Sequence, residues 1–181
     1  MTTGLDSRRD EIISFASVPI EGGRIKVAGA RTAIIRPTKM PPPETIRIHG
    51  LRPMDLDEAP PLAEVLDVIL EALTGRALVA HVARVERGFL SAALRSSRLR
   101  LARPVLDTAI LARRALGRKG QDGEGPLPLS EAARHFGLPV HRPHVAAGDA
   151  LTTAQLFLAA STRLESDAPQ TIGSLARLSR S

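Results

Sequence analysis

The sequence predicts an α/β protein with a mixed β-sheet, and three observations support this class. A β-rich hairpin pattern opens the chain, two short apolar strand patterns follow, and amphipathic helices separate and succeed them. Helices that alternate with short buried strands are typical of parallel neighbours in a sheet, whereas a hairpin adds antiparallel ones. With 181 residues, of which 43% are hydrophobic, the chain can bury one core, so we expect one domain.

The first elements are a hairpin and a loop. Residues 11–21 are apolar and β-rich, Gly22 and Gly23 mark a tight turn, and residues 25–36 form the predicted returning strand. Residues 37–43 contain four prolines, which cannot continue a ladder because proline has no backbone N–H. This segment is therefore predicted to be an extended loop.

The later elements alternate between helices and short strands. Apolar residues at helical spacing predict a helix from Leu62 to Leu73, followed by Gly75. Two strands are predicted over residues 77–80 and 105–107. Helices are predicted around residues 89–94, from residue 108 through Leu116, from a Ser130 N-cap to Gly137, and over residues 148–164. Residues 117–128 are expected to form a flexible loop, and residues 166–181 a polar, frayed tail.

The charge balance is strongly basic, with a net charge of +6 that comes almost entirely from arginine. The planar guanidinium group binds two phosphate oxygens at once, so nucleic acid is a plausible partner. An arginine-rich composition imposed by a GC-rich genome explains the same charge, and both interpretations remain open. Cysteine is absent, which excludes disulfides and thiolate metal sites and fits a cytoplasmic protein. No stretch approaches the length of a membrane span, so no membrane partner is expected.

One segment places a titratable group next to a carboxylate. His144 lies in a predicted loop, and Asp149 lies at the start of the last long helix. An imidazole can take a proton from a water molecule while a neighbouring carboxylate holds a metal ion. The alternative is an Asp that caps its helix beside a surface histidine.

The same segment carries a family resemblance. The pattern His144-x-Ala146-x-x-Asp149, followed by ALTTAQ, is similar to the third motif of the DnaQ-like DEDDh family of 3′–5′ exonucleases. Further segments resemble the remaining family motifs in the same order: TTGLD at 2–6, IHG at 48–50, VAH at 79–81, GFL at 88–90 and LDT at 106–108. The resemblance extends over almost the whole chain.

The resemblance implies a fold, a reaction and a set of site residues. The fold is a ribonuclease-H-like mixed β-sheet flanked by helices, here a domain over residues 1–165 followed by the tail at 166–181. The reaction is hydrolysis of DNA or RNA 3′ ends with two Mg²⁺ or Mn²⁺ ions, and a polymerase or another protein is a possible partner. The implied roles are Glu86 and Asp149 as metal ligands, His144 as general base, and Thr2, Thr3, Gly4 and His49 as walls for the terminal nucleotide.

The chain departs from the family pattern at several site positions. Met1 falls where the first motif has Glu, and the Asp two residues earlier has no counterpart. Val82 stands for the usual Asn, and Glu86 for the usual Asp. Because two of four carboxylates are missing and a third is altered, we expect impaired hydrolysis. The alternative is an inactive exonuclease-fold module that binds nucleic acid or a protein partner.

The resemblance also implies that most of the first central strand is missing. In the family this strand lies between the hairpin and the strand at residues 77–80. Its loss leaves backbone groups unpaired, so the chain should fold poorly or borrow a strand. Either the start codon is assigned too far downstream or the gene is a remnant. The intact core pattern favours the first explanation.

Other candidate residues have structural interpretations. His81 is expected to be a buried, hydrogen-bonded histidine, Asp107 to be structural, and His135 and His141 to lie on the surface. The arginines form two clusters that suit either a solvated face or a phosphate track: Arg95, Arg98, Arg100 and Arg103, and Arg113, Arg114 and Arg118.

Overall fold

Helices and short strands alternate along the chain, as the sequence predicts. The computed structural model describes residues 1–42, 49–102, 104–117, 125–166 and 168–180. The strands are β1 (Ser14–Ser17), β2 (Ile20–Glu21), β3 (Arg24–Ile25), β4 (Arg31–Ile34), β5 (Leu78–Ala80) and β6 (Val105–Asp107). The helices are α1 (Pro53–Asp57), α2 (Leu62–Leu73), α3 (Ala83–Ser96), α4 (Thr108–Ala115), α5 (Leu129–His135), α6 (Ala146–Glu165) and α7 (Ile172–Leu178).

The opening hairpin is divided into two ladders rather than being continuous. β1 pairs antiparallel with β4, and β2 pairs antiparallel with β3 around the turn at Gly22 and Gly23, whose φ angles are +57° and +71°. Pro19 interrupts the outgoing strand because it has no N–H to donate, and its carbonyl accepts from the N–H of Lys26 at 2.8 Å. A 3₁₀ turn at Val27–Gly29 interrupts the returning strand. The prediction of two long strands is therefore wrong, because each predicted strand is interrupted and forms two short ones.

The strands form three separate two-stranded sheets in the described part of the chain. β5 and β6 are parallel, with Leu78 opposite Val105. Thr2 forms an isolated antiparallel bridge to Ile12. Among the described strands β1 pairs only with β4 and β5 only with β6, so the predicted mixed sheet is divided into separate ladders.

Helix α6 carries much of the core. It packs against β1, β5, α4 and α5, and Leu156 on it is fully buried together with Leu106 and Leu111. This long helix therefore holds the β1–β4 and β5–β6 sheets in place, and its first turn carries Asp149 of the candidate site.

The C-terminal segment is more ordered than the sequence predicts. Residues 172–178 form α7, and Leu175 and Ala176 are 4% exposed and pack with Leu106 and Phe157. The Thr171 hydroxyl caps the helix by accepting from the Ser174 N–H at 3.1 Å. The expectation of a frayed tail is wrong for these residues, because the small apolar face of a short polar helix completes the core.

Several helix ends also differ from the predictions. α5 begins at Leu129 with Pro128 at its N-cap, so Ser130 lies inside the helix instead of capping it. Proline fits this place since the N-cap N–H is not needed by the helix, and the Pro128 carbonyl accepts from the Ala132 N–H at 2.9 Å. Most of the predicted loop at 117–128 lies outside the described residues. None of the helices in the described ranges is long and apolar enough to cross a membrane.

Candidate active site

The loop before α6 holds His144 next to Asp149. Asp149 lies in the first turn of α6, and its Oδ1 accepts a hydrogen bond from the His144 backbone N–H at 3.3 Å. His144 adopts a left-handed conformation with a φ of 61°, which turns the chain onto the helix. A Cβ at Gly148 would lie 2.2 Å from the His141 carbonyl oxygen, so only glycine allows the loop backbone to lie this close. The motif therefore encodes a packed loop–helix unit.

Glu86 reaches the same region from the first turn of α3. This helix begins directly after β5 at Val82, whose φ of 58° and ψ of 50° are left-handed. The Asp107 carboxylate accepts from the N–H groups of Val82 at 3.1 Å, Ala83 at 2.8 Å and Ala109 at 2.9 Å. Asp107 thus holds the starts of α3 and α4 together, which confirms its structural interpretation.

The amino group of Met1 contacts β1 and interacts electrostatically with both acidic side chains. Its nitrogen donates to the Ser14 carbonyl oxygen at 2.8 Å. Burial lowers the pKa of this amino group, whereas the negative charges of Glu86 and Asp149 act in the opposite direction. A cation and two carboxyl groups therefore share one electrostatic environment.

Desolvation also acts on the acids, although the Glu86 side chain is exposed at the cavity and Asp149 is half-buried. Desolvation raises the pKa of Glu86 to about 7, and the Met1 ammonium only partly opposes it. The Glu86 side chain still contacts solvent through the open cavity that it faces. Desolvation also raises the pKa of Asp149. The hydrogen bond from the His144 N–H and the Coulombic interactions with His144 and the Met1 amino group lower it, but by less. Desolvation therefore favours the neutral form of both carboxyl groups, whereas a bound cation would favour the charged form.

All seven residues that the resemblance identifies line one cavity of about 1340 Å³. These are Thr2, Thr3, Gly4, His49, Glu86, His144 and Asp149. His49 is only 5% exposed, and its Nδ1 accepts from the Leu51 N–H at 3.1 Å. Burial, followed by the Met1 ammonium, lowers the pKa of His49, so the ring is neutral at pH 7. Residues from four separate segments of sequence thus meet at one surface.

The N-terminal segment forms a rigid wall of this cavity. The Thr3 hydroxyl accepts from the Glu11 N–H at 2.9 Å and donates to an Asp10 carboxylate oxygen at 3.2 Å. A Cβ at Gly4 would lie 2.4 Å from Asp10 Oδ2, so a larger residue here would displace the Asp10 carboxylate that contacts Thr3. The wall is therefore held by side-chain contacts within residues 3–11.

Three basic residues that the motif comparison did not single out also line the cavity: Lys26, Arg31 and Arg76. Arg31 pairs with Glu71 at 2.7 Å, and Arg76 pairs with Glu21 at 2.8 Å. Their positions in the irregular hairpin and after α2 carry no motif, so only the folded chain reveals them.

The remaining histidines have mostly structural contacts. His81 Nε2 lies 2.7 Å from the Leu127 carbonyl oxygen, and its Nδ1 lies 2.9 Å from Thr108 Oγ1, which confirms a satisfied, largely buried ring. Burial lowers the pKa of His81. His141 is half-buried, and its Nε2 lies 3.1 Å from Gln155 Oε1, so its surface assignment holds only in part.

Comparison with known proteins agrees with the motifs. The family model described as "Exonuclease" matches residues 2–157. The chain therefore belongs to the exonuclease family.

Individual relatives share parts of their length with this chain. A Mycobacterium tuberculosis protein assigned as a bifunctional exonuclease/endonuclease is 32% identical over 96% of this chain and 26% of its own length. The DNA polymerase III subunit epsilon of Treponema pallidum is 29% identical over 86% of this chain and 71% of that protein. The chain thus spans about a quarter of the length of the first of these relatives.

Solved structures share the fold. Exonuclease X in complex with 5′ overhanging duplex DNA superposes with a TM-score of 0.74 at 22% identity, over 99% of this chain and 95% of that chain. E. coli Exonuclease I in complex with a dT13 oligonucleotide has a TM-score of 0.74 at 16% identity, over 91% of this chain and 40% of that chain. The similarity establishes a ribonuclease-H-like exonuclease fold.

The family typically uses Mg²⁺ or Mn²⁺. Among the described residues, no group of three or more His, Cys, Asp or Glu side chains is arranged to hold a metal ion. Glu86 and Asp149 carry hard oxygen atoms, which could hold one divalent ion with the remaining coordination left to water or substrate. Two carboxylates do not supply the ligands that two such ions need.

Proposed function

We propose that this domain binds the 3′ ends of DNA or RNA and acts as a weakened 3′–5′ exonuclease. The observation that carries the proposal is the convergence of His144, Asp149 and Glu86 with the four predicted substrate-contact residues on one cavity. Membership of the exonuclease family supports hydrolysis of nucleic acid as the reaction. The protein relatives and the net charge of +6 are consistent with a nucleic-acid substrate.

The proposed roles follow from the chemistry of each group. His144 is exposed on its loop and serves as the base that takes a proton from the attacking water. Asp149 and Glu86 supply negative oxygen ligands for a divalent cation, which would polarise that water and the phosphate. Thr2, Thr3, Gly4 and His49 form the wall against which the terminal nucleotide packs.

Weak activity follows from the small number of acidic groups. Of the four acidic residues that line the cavity in the described ranges, Glu21 and Glu71 are paired with arginines, which leaves Glu86 and Asp149 for a metal ion. Desolvation favours the protonated forms of these two groups, and a metal ion must displace those protons to bind. We infer that the domain works in the cytoplasm beside a polymerase or another protein that presents the 3′ end, an inference supported by the epsilon-subunit relative.

Release of mononucleotides from a 3′-labelled oligonucleotide in Mn²⁺ tests this function. We expect slow, metal-dependent release that Asp149→Asn, Glu86→Gln and His144→Ala each reduce by about 100-fold or more. Asp67→Asn and Glu64→Gln are matched controls, since both acids lie exposed on α2 and away from the cavity, and they should leave the rate unchanged. Equal rates in all five variants would show that the nuclease activity does not come from this site.

The alternative function is a non-catalytic nucleic-acid-binding module. It is favoured by the ligand set, because within the described ranges no group of three or more His, Cys, Asp or Glu side chains is arranged to hold a metal ion. Under this alternative the oligonucleotide binds with similar affinity in Mn²⁺ and in chelator, and no mononucleotide is released over a long incubation.

A further inference from the structure

A second groove, of about 510 Å³, lies between the last turn of α4 and helix α7. Its walls include two guanidinium groups, an amide, a hydroxyl and two apolar side chains: Arg114, Arg177, Gln170, Ser174, Pro169 and Leu178. None of the residues that line this groove lines the larger cavity with His144 and Asp149. Its volume falls within the roughly 300–1,000 Å³ of small-molecule sites, so the groove is a separate candidate site.

The α7 wall of this groove is polar because only one face of the helix is buried. Leu175 and Ala176 pack into the core, whereas Ser174 and Arg177, three residues apart, line the groove on the same face. The Arg177 Nη1 lies 3.8 Å from the place that a Cβ on Gly173 would occupy. The Arg177 guanidinium therefore lies back along the first turn of α7.

Hydrogen bonds hold the neutral polar groups of the groove in place. The Gln170 Nε2 donates to the Ala168 carbonyl oxygen at 2.9 Å, and the Ser174 hydroxyl donates to the Gln170 Oε1 at 2.8 Å. The same hydroxyl accepts from the Thr171 N–H at 2.8 Å. This wall is thus ordered without a ligand, which lowers the entropy cost of binding one.

Arg114, on the opposite wall, has a buried donor without an acceptor. Its Nε is buried and has no hydrogen-bond partner in the part of the chain that the structure describes. Its Nη2 reaches the Arg180 carbonyl oxygen at 3.5 Å, the long limit of a hydrogen bond. Because a buried charged donor is costly to leave unpaired, an acceptor group is expected beside Arg114.

The groove also has uncompensated positive charge. Over the described ranges, neither Arg114 nor Arg177 forms an ion pair with Asp or Glu, whereas Arg31, Arg52 and Arg76 each do. A guanidinium group binds two oxygens of a phosphate at once. Two such groups on one groove therefore favour an anion with several oxygen atoms.

We propose that this groove binds a phosphate monoester, carried by a mononucleotide or by the phosphorylated end of a nucleic-acid strand. A phosphate monoester has a charge of about −1.5 to −2 at pH 7, which matches the two guanidinium groups of Arg114 and Arg177. A phosphodiester of the nucleic-acid backbone has about half that charge. Pro169 and Leu178 supply apolar surface for the attached nucleoside.

NMR titration of the full chain with deoxyadenosine monophosphate tests the site directly. The titration is done in chelator, which removes divalent ions and so suppresses phosphate binding at Glu86 and Asp149. We expect the Ser174 amide and the Nε–H signals of Arg114 and Arg177 to shift, with a Kd below about 1 mM. Arg114→Gln and Arg177→Gln should each weaken binding by about tenfold or more, because each removes a charged bidentate donor.

Arg134→Gln is the matched control for the loss of one positive charge. Arg134 is exposed on α5 and lines neither the groove nor the larger cavity, so its replacement should leave the Kd unchanged. An unchanged Leu175 amide signal in the Arg177 variant shows that α7 remains packed in the core.

Unchanged affinity in both glutamine variants, or signal shifts confined to the larger cavity, would overturn the site. Oligothymidine with and without a 5′-phosphate separates the sources of the phosphate. Equal affinity for the two oligonucleotides would overturn a monoester site. Tighter binding of the phosphorylated strand than of the mononucleotide would identify a strand end as the ligand, and the reverse a free nucleotide; both support the proposal. None of these measurements involves hydrolysis, so they hold whether or not the domain is a nuclease.

Discussion

The Asp149 carboxylate accepts a hydrogen bond from the His144 backbone N–H at 3.3 Å. This contact ties the loop that carries the imidazole to the helix that carries the acid. The position of the proposed base is thus set by the proposed metal ligand.

Replacement of Asp149 by Asn separates these two roles. The Asn oxygen can still accept from the His144 N–H, so the Tm should change by no more than about 2 °C. The negative ligand is lost, so we expect Mn²⁺ affinity measured by isothermal titration to fall by about tenfold or more. Asp149→Leu should lose both the negative ligand and the hydrogen bond from the His144 N–H, so its Tm should fall as well. Unchanged Mn²⁺ affinity in the Asn variant would exclude Asp149 as a ligand.

Glu86 should make the stability of the fold depend on pH. Desolvation raises its pKa from 4.5 to about 7, so the protonated form is favoured in the folded state. This stabilisation is fully present below about pH 4.5 and is lost as the pH rises through about 7. Solvent in the cavity screens the effect to on the order of 1 kcal/mol.

The measurement for Glu86 is urea unfolding at pH 5 and pH 8. Glu86→Gln mimics the protonated acid, so it should be more stable than the wild type at pH 8 and nearly equal to it at pH 5. Glu64→Gln, on the exposed face of α2, should show no such difference. A Glu86→Gln effect of equal size at both pH values would contradict the predicted titration.

Val82 carries a backbone conformation that suits another residue. Its φ of 58° is left-handed, which is costly for a β-branched side chain and tolerated by Asn. We expect Val82→Asn to increase the free energy of unfolding by about 1 kcal/mol. Val27→Asn, at a position that is 63% exposed and has no positive φ, should change it by less than about 0.5 kcal/mol. A destabilised Val82→Asn protein would mean that side-chain packing outweighs the backbone strain.

Helix α7 should contribute measurably to stability. Leu175 is 4% exposed within the core, so Leu175→Ala should lower the free energy of unfolding by about 2–4 kcal/mol. Ile172 on the same helix is 47% exposed, and Ile172→Ala should cost less than about 1 kcal/mol. Equal effects of the two substitutions in chemical denaturation would indicate that α7 does not pack as described.

Much of the candidate site could be predicted from short motifs. The spacing from His144 to Asp149 and the order of the remaining segments identified every one of the seven proposed residues, and all seven line one cavity. Local patterns also predicted most helices and both strands of the parallel pair. These features depend on residues that are close in sequence, so hydrophobic periodicity and short motifs are enough to predict them.

Other properties required the tertiary structure because they depend on contacts between distant segments. Residues 166–181 are polar in composition, and only the core around Leu106 makes the small apolar face of α7 a packed helix. The left-handed Val82 and its Asp107 cap, 25 residues apart in sequence, arise where β5 and β6 end side by side. The apolar cavity between β1 and β5, with α6 packed against both strands, likewise depends on contacts between distant segments.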